Sequence, residues 1–486
     1  MTASLLTLWL AYSRPTLAID GRAGSVSPTL LFDSLKVSFA TIAGIGGVVA
    51  LVVGYRRQRI HEAQDLRDFT RLSNERFAKA AEQIGSNTAA IRLAGVYAMA
   101  ALADDWPEQR QVCIDVLCAY LRMPFPIILE PSEIPEPESV TENPMQPWRQ
   151  WLEAVPTESR NPHEESHVRT TIQKVITAHL DPDAESNWFG YRFDFQGSVF
   201  EGALFEGAVF KECQVIFDGC LFYGESWFSN CKFISSYVSF AAAIVNDSLG
   251  FEFSYIEDSD LTLYFSFGND CSVNFQGINL HSGILRLVPD LSRGAHLSFI
   301  SSHLEGGTIE LHRLEMTKGS SLAFSRAVID GTEINIIGQN CRGGTIWLNG
   351  LTINDGSMTI KGDDRFSNQQ LILEGTELSM DGMDLNGGTL AIRNAVLSGS
   401  RIHAENLVMN GGIIDFSEAT FQSGLLSITQ PDIRRGEICF RGVNFEDGDT
   451  VKLSEIADKN VKFYHSAGEV SDVRKQLTIT DAATGR

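Results

Sequence analysis

Residues 193–240, FDFQGSVFEGALFEGAVFKECQVIFDGCLFYGESWFSNCKFISSYVSF, decide the fold. Phe195, Phe200, Phe205 and Phe210 fall five residues apart. Phe217, Phe222, Phe228, Phe233 and Phe240 continue the series at intervals of 7, 5, 6, 5 and 7. Two residues before these rings sits a smaller side chain: Ser198, Ala203, Ala208, Val215, Cys220, Ser226, Cys231 and Val238. In an extended segment, residues i and i−2 lie on one face, so each ring and its small partner point the same way. No proline lies between Pro182 and Pro289, which leaves the stretch free to form β-ladders.

Further along, an 11-residue frame with apolar residues at its fourth, sixth, ninth and eleventh positions takes over. Residues 306–316 read GGTIELHRLEM, 343–353 GGTIWLNGLTI, 387–397 GGTLAIRNAVL and 411–421 GGIIDFSEATF. Weaker copies begin at 270, 282, 294, 319, 331, 355, 363, 375, 399, 423 and 435. Successive starts differ by 12 or 13, with one step of 8 near the charged run Lys361–Arg365. The frame keeps the 5+7 rhythm that the phenylalanines adopt after Phe210. Regularity over so long a stretch marks a repeat architecture rather than a sandwich. Its glycine pairs fall where the chain must turn with positive φ.

Over about residues 193–240 this pattern resembles the pentapeptide-repeat proteins. In that family four five-residue faces close one square coil of a right-handed β-solenoid, with the ring at i and the small residue at i−2 pointing inward. The resemblance implies a mainly β chain whose right-handed parallel β-solenoid runs over 190–463, before a C-terminal tail, 464–486. The coils should relax from about 20 to about 24 residues, with phenylalanine filling the lower ones and Ile, Leu and Met the upper ones. Eleven or so rungs at ~4.8 Å predict a rod about 50 Å long.

Ahead of the solenoid, residues 37–55, VSFATIAGIGGVVALVVGY, are uncharged and mostly apolar. A helix of about 20 such residues spans the hydrocarbon core of a bilayer. Arg56, Arg57 and Arg59 follow directly, which predicts that this side is cytoplasmic. Leu5, Leu6, Leu8, Trp9 and Leu10 make residues 1–36 apolar at their start, too briefly to span. Gly46, Ala50 and Gly54 recur at i+4, which lets two such helices approach and admits a homo-oligomer. From 62 to 122 the period is helical, with three short helices expected. Residues 75–84 form the first. Ile91, Ala94, Ala98 and Leu102 stripe the second. Asp105 and Glu108 form a capping pair before the third, where Val112, Cys113, Val116, Leu117, Tyr120 and Leu121 make an apolar face. Nine of the 15 prolines lie between Pro124 and Pro162, so 123–164 reads as a linker. A short helix over 165–182 turns Val168, Ile172, Val175 and Ile176 inward.

The chain carries 39 basic and 61 acidic residues in 486, a net charge of −22, which excludes a generic nucleic-acid binder. Of these, 22 basic and 38 acidic residues fall in 190–486. Residues 163–167 read HEESH, a literal H-E-x-x-H, which on a helix would set His163 and His167 on one face with a Glu between them, and Glu185 or His179 as third ligand. Its polar filling, directly after Asn161-Pro162, equally suits a helix start, where acidic residues are favoured by the dipole. Cys220 and Cys231 take inward positions and are expected to be inert. Cys113 and Cys118 lie on different helix faces, a poor metal arrangement. His296, His303, His312 and His403 fall at mostly outward, solvated positions. No phosphate-binding loop, dinucleotide fingerprint or nucleophile elbow occurs. No catalytic, cofactor-binding or metal-binding residue is therefore expected.

The stretches KVSFATIAGIGGVVALVVGYRRQR, RFAKAAEQIG and IRLAGVYAMAALADDWPEQRQVCIDVLCAYLR look like the anchor and helical unit of bacterial membrane-anchored pentapeptide-repeat proteins. That resemblance implies a scaffold: a rod tethered to the inner or cell membrane by one helix, presenting its cytoplasmic surface to a protein partner, with no direct nucleic-acid contact. A second expectation is a DNA mimic inhibiting an enzyme such as gyrase, since residues 191–285 hold 12 acidic and three basic residues. The third is a zinc metallohydrolase acting through HEESH.

Overall fold

The computed structural model describes residues 28–123 and 161–453, apart from 268–269, 292–293, 364–369 and 446–449. The expected first hydrophobic segment, most of the linker and the C-terminal tail lie outside these residues. The chain divides into two compact units, Met1–Ala78 and Lys79–Arg486.

Helix α1 is a single helix, Pro28–Ile84, of 57 residues. It takes in both the expected span and the expected first short helix, because neither Gly nor Pro separates them: most residues from Arg56 to Lys79 are good helix formers, and Ile60 and Thr70 alone are β-branched. It is long and apolar enough to cross a membrane, and none of its apolar window is buried. Val37, Phe39, Val48, Leu51 and Val53 all face outward.

In the second unit, the end of α1 packs against α2 (Ala89–Asp105), which is followed by α3 (Arg110–Leu121) and α4 (Pro162–His179). Gly95 permits the closest approach: a Cβ there would sit 2.7 Å from the backbone nitrogen of Ile84. The buried face of α2 is Arg92, Gly95, Val96, Met99, Leu102 and Ala103, while Ile91 is exposed. The face is thus rotated from the expected stripe, since the core takes in the aliphatic stem of an arginine and a glycine. Val112 likewise faces out. Asp105 ends α2 instead of capping α3; a turn of 3₁₀-helix, Pro107–Gln109, intervenes. The start of α4 is capped by the Asn161 side chain, which accepts a bond from the His163 backbone N–H, with Pro162 at the first turn. Val168, Ile172, Val175 and Ile176 are buried as the helical spacing required.

Residues 192–453 wind as a parallel β-solenoid of about ten turns, with ten strands stacked in one sheet alone. Phe200 pairs with Phe222 and Phe210 with Phe233, so even the lowest coils are slightly longer than four five-residue faces. Higher up, Val273 pairs with Leu297 and Leu322 with Ile346, the longer coil that two frames make. The coil that brings Ile346 beside Leu378 is longer still. The pairing interval thus lengthens by eight residues between Gly338–Gly362 and Asn340–Ile372, which accounts for the step of 8 in the frame starts.

Inside, like side chains stack coil on coil. Phe205, Phe228, Phe251, Phe275, Phe299 and Phe324 form one column, with centroids 5.2, 5.3, 4.9, 4.9 and 4.7 Å apart. Phenylalanine thus reaches well past the lower coils, and Phe416 stacks on Phe440 near the top. Small buried side chains complete the corners. Ser236 Oγ accepts from the Cys213 N–H at 2.9 Å and donates to the Phe210 carbonyl at 2.9 Å; Ser400 does the same between Thr376 and Leu373. These hydroxyls satisfy backbone groups that the ladder leaves unpaired at the bends. Two glycines show why the frame starts as it does. Gly388 has φ of 64°, and a Cβ there would lie 2.5 Å from the Gly356 carbonyl oxygen. Gly344, with φ of 79°, would bring one to 2.9 Å from the Ser320 carbonyl oxygen.

Ile346, Leu348, Leu351 and Ile353 are buried, whereas Trp347 is 37% exposed. Leu348→Ala is expected to cost about 2–5 kcal/mol through lost burial and a cavity. Trp347→Ala should cost well under that, as a change on the outer face. Paired thermal melts check this; a larger loss for Trp347→Ala would mean the register is off by one residue.

Candidate functional site

The solenoid meets its helical unit along the edge of the first coil, and the unit's polar side chains concentrate there. Gln111 on α3 behaves as a missing strand: its Oε1 accepts from the Arg192 N–H at 2.9 Å, and its Nε2 donates to the Arg192 carbonyl at 2.8 Å. Gln173 and Thr177 on α4 do the same for Leu204, accepting from its N–H at 3.0 Å and donating to its carbonyl at 2.9 Å. Arg122 reaches Asp194 at 2.8 Å. Two helices thus close an edge that would otherwise pair with another chain.

Behind this edge lies a buried ion cluster. Glu165 is 1% exposed. Its carboxylate lies 3.3 Å from Arg92 Nη2 and 3.3 Å from Arg169 Nε, and accepts from the Tyr120 hydroxyl at 3.1 Å. Arg92 also donates to the Ser86 and Asn87 carbonyls, tying the α1–α2 turn. Arg169 donates to the carbonyls of Leu121, Tyr120 and Met123, closing the C-terminal end of α3. One acid therefore joins three helices. A second cluster lies at the other end of α4: His179 stacks on Trp188 at 4.0 Å, and Asp104 lies 3.0 Å from both His179 Nε2 and Trp188 Nε1.

The HEESH residues separate accordingly. His163, Glu164 and His167 face outward, while Glu165 turns inward to the arginines. His179 is engaged with Asp104 and the Val175 carbonyl, and Glu185 is exposed. Among the described residues, no three His, Cys, Asp or Glu side chains are grouped to hold a metal ion. Nothing in the pentamer signals the role of Glu165, because Arg92 stands far upstream on another helix and Arg169 one helical turn on.

Higher on the rod, outward residues form ladders that the frame alone does not reveal. Arg286 bridges Asp260 at 3.1 Å and Glu310 at 2.9 Å, with His312 3.4 Å from Glu310. His403 is not simply solvated: its two ring nitrogens lie 3.1 Å from Asp381 and 3.2 Å from Glu377. Asn354, Asn386 and Asn410 stack amide on amide at 3.0 and 2.8 Å, ending at Arg434. Such ladders join coils side by side and leave little room between the groups.

The thiols are internal. All eight cysteines are free and buried. Burial pushes Cys113 up to about 11 and Cys118 up to about 12, and it raises Cys220 and Cys231 as well. Cys220 and Cys231 each lie 3.0 Å from a carbonyl one coil below, that of Phe195 and of Phe205. The low-pKa, exposed setting of a reactive thiol is absent from these positions.

A cleft of about 330 Å³ opens where α4 meets the first coil, lined by Lys174, Thr177, Ala178, Asp181, Leu204 and Glu206. Leu204 pairs with Trp227 one coil up, and Trp227 is 38% exposed. Here a concavity, apolar side chains and charge come together on the solenoid's lower end.

Residues 189–232 match the family model described as Pentapeptide repeats (9 copies). No match was found among curated proteins or among solved structures. The matched stretch covers the lowest coils, where the spacing of the rings is five residues or close to it, and the parallel solenoid continues beyond it to Leu453.

Glu165→Gln should cost about 3–5 kcal/mol, since it removes the charge that Glu165 presents to two buried guanidinium groups. His163→Ala and His167→Ala should stay within about 0.5 kcal/mol of the parent. Denaturant melts separate the two cases. At pH 8 a chromogenic thiol reagent should titrate none of the eight cysteines in the folded protein and all of them in guanidinium; fast reaction of Cys118 before unfolding would contradict its burial.

Proposed function

We propose that this chain is a non-catalytic, membrane-anchored scaffold whose solenoid carries a binding surface for a protein partner on the cytoplasmic side. The observation that carries this reading is α1. One uninterrupted helix holds a fully exposed apolar window and ends, at Ala80 and Ile84, in the buried core of the helical unit. An exposed run of Val, Ile, Phe and Leu is costly in water and favourable in hydrocarbon. Arg56, Arg57 and Arg59 follow it, the sign that holds a flanking segment on the inner side. The solenoid supports the rest of the reading. Its interior is filled by stacked side chains, its thiols are buried, and several of its acids and bases pair with one another along the ladders. A rod of stacked coils offers a long surface for binding without needing an active site.

The full-length chain is expected to sediment with membranes and to resist alkaline carbonate. A variant lacking residues 37–55 is expected in the soluble fraction. A C-terminal reporter should be active only in the cytoplasm; activity outside would overturn the topology. Pull-down of the detergent-solubilised full-length protein should return a partner whose binding does not depend on metal. Loss of that binding on chelation would favour a metal-dependent role instead.

A further inference from the structure

The cleft beside α4 continues upward along one face of the solenoid. Trp227 stands above Leu204, and the next strand sets Gly250 beside Trp227. The space a side chain would take at Gly250 is filled by the Glu252 carboxylate, which is held by Ser229 and by Asn274 Nδ2 at 2.8 Å. Phe253 follows, 62% exposed and with φ of 57°. Its ring lies across Gly277, where a Cβ would come within 2.7 Å of it. Most equivalent corners in other coils carry glycine or asparagine, among them Gly207, Asn230, Gly277, Gly350 and Asn406, residue types that adopt this left-handed conformation with least strain. A bulky aromatic there adds strain to the corner and most of its ring stays in water, so neither core packing nor the turn explains its presence.

The charge around these side chains has one sign. Glu206, Glu225 and Asp247 are exposed on this part of the surface, and Glu252 is half-buried. Residues 191–285 hold 12 acidic and three basic residues. The three, Arg192, Lys211 and Lys232, lie on strands of the other sheet. Only Lys174 adds a positive charge at the cleft.

We propose that the cleft, Trp227 and Phe253 together dock a cationic segment of a protein partner. One apolar side chain of that segment enters the cleft against Leu204 and Ala178. Its Lys or Arg side chains meet Glu206, Glu225 and Glu252, and their stems lie on the two aromatic rings. The chain's own proline-rich stretch, 124–160, has the wrong sign for this site, with seven acidic and two basic residues. A second copy of the solenoid is also acidic. The proposal rests on the scaffold reading and gives it a site and a partner chemistry.

The test uses full-length protein in nanodiscs and labelled synthetic peptides: cationic with a Leu or Trp anchor, cationic without it, and neutral or anionic with it. Fluorescence anisotropy should show the anchored cationic peptide binding tightest, and weakening as salt rises from about 50 to about 300 mM. Trp227→Ala and Phe253→Asn should each weaken it about tenfold, and Trp347→Ala should leave it unchanged. Phe253→Asn should hold or raise the melting temperature, because asparagine relieves the corner; binding lost without loss of stability separates docking from folding. Equal binding of the neutral peptide, or binding untouched by both substitutions, would overturn the proposal. A partner from the full-length pull-down that still binds the Trp227→Ala/Phe253→Asn double variant would also overturn this site while leaving the scaffold reading standing. If no partner is recovered at all, the scaffold reading falls, and the peptide series judges the site alone.

Discussion

Each coil of a parallel solenoid can satisfy its backbone only by pairing with the coil above and the coil below, so the first coil has an edge with nothing of its own kind beneath it. That edge governs the rest of the molecule. Gln111, Gln173 and Thr177 supply side-chain donors and acceptors where a strand would have stood, and the Leu180 carbonyl takes the Val209 N–H at 2.8 Å. For those groups to sit in register, α3 and α4 must be fixed against each other and against α2. The Glu165 cluster does this at a cost in desolvation, and it places one buried acid between two arginines that also close the helix ends. The cleft is a by-product of the same arrangement: a helix side laid against a coil edge leaves a furrow that coil-on-coil packing does not.

The solenoid is legible in the sequence because its periodicity is imposed by the backbone. A ring and its small partner must recur wherever a coil turns inward, and Ile309, Leu311, Leu314 and Met316 are buried as their frame positions required. Two features of the pattern mislead for a physical reason. The column from Phe205 to Phe324 advances by uneven steps along the chain, so a fixed interval loses it although the rings remain stacked. The insertion after Gly362 looks like a shortened frame because a strand pairs in register on either side of it.

The helical unit is less legible. Helical spacing fixes which residues share a face, but not which face is covered. On α2 the covered face includes Arg92 and Gly95, and Ile91 is left outside, because Arg92 answers a glutamate on another helix and Gly95 lets α1 approach. The same long-range pairing disguises Glu165. Within its pentamer it looks like one of two interchangeable acids in a helix's first turn; only its inward direction and its partners distinguish it from Glu164. His403 shows the converse case on the rod. Its frame position is outward, but outward residues stack coil on coil as regularly as inward ones, so a histidine there meets carboxylates from its neighbours.

That stacking also bears on where a partner can act. Across the upper coils, several outward charges are matched: Arg286 with Asp260 and Glu310, Arg393 with Asp415, Arg434 with Asp432. A matched ladder attracts a charged partner weakly, since its field cancels within a few ångströms. The lower coils differ, because the acids on the face that carries Trp227 have no basic residues on the neighbouring strands of their own sheet. On the membrane-anchored reading this imbalance has a second effect. The inner surface of a bilayer is itself anionic, so an unbalanced acidic face is repelled by lipid instead of adhering to it. On that reading, the face with the least internal compensation would be repelled by lipid and attract positive charge. Exposed aromatic residues that would otherwise favour insertion at a lipid interface are held in water by the acids around them. On the proposed reading, acidity and exposed aromatic surface, each a cost to a soluble rod, would together favour a cationic protein segment over a bilayer.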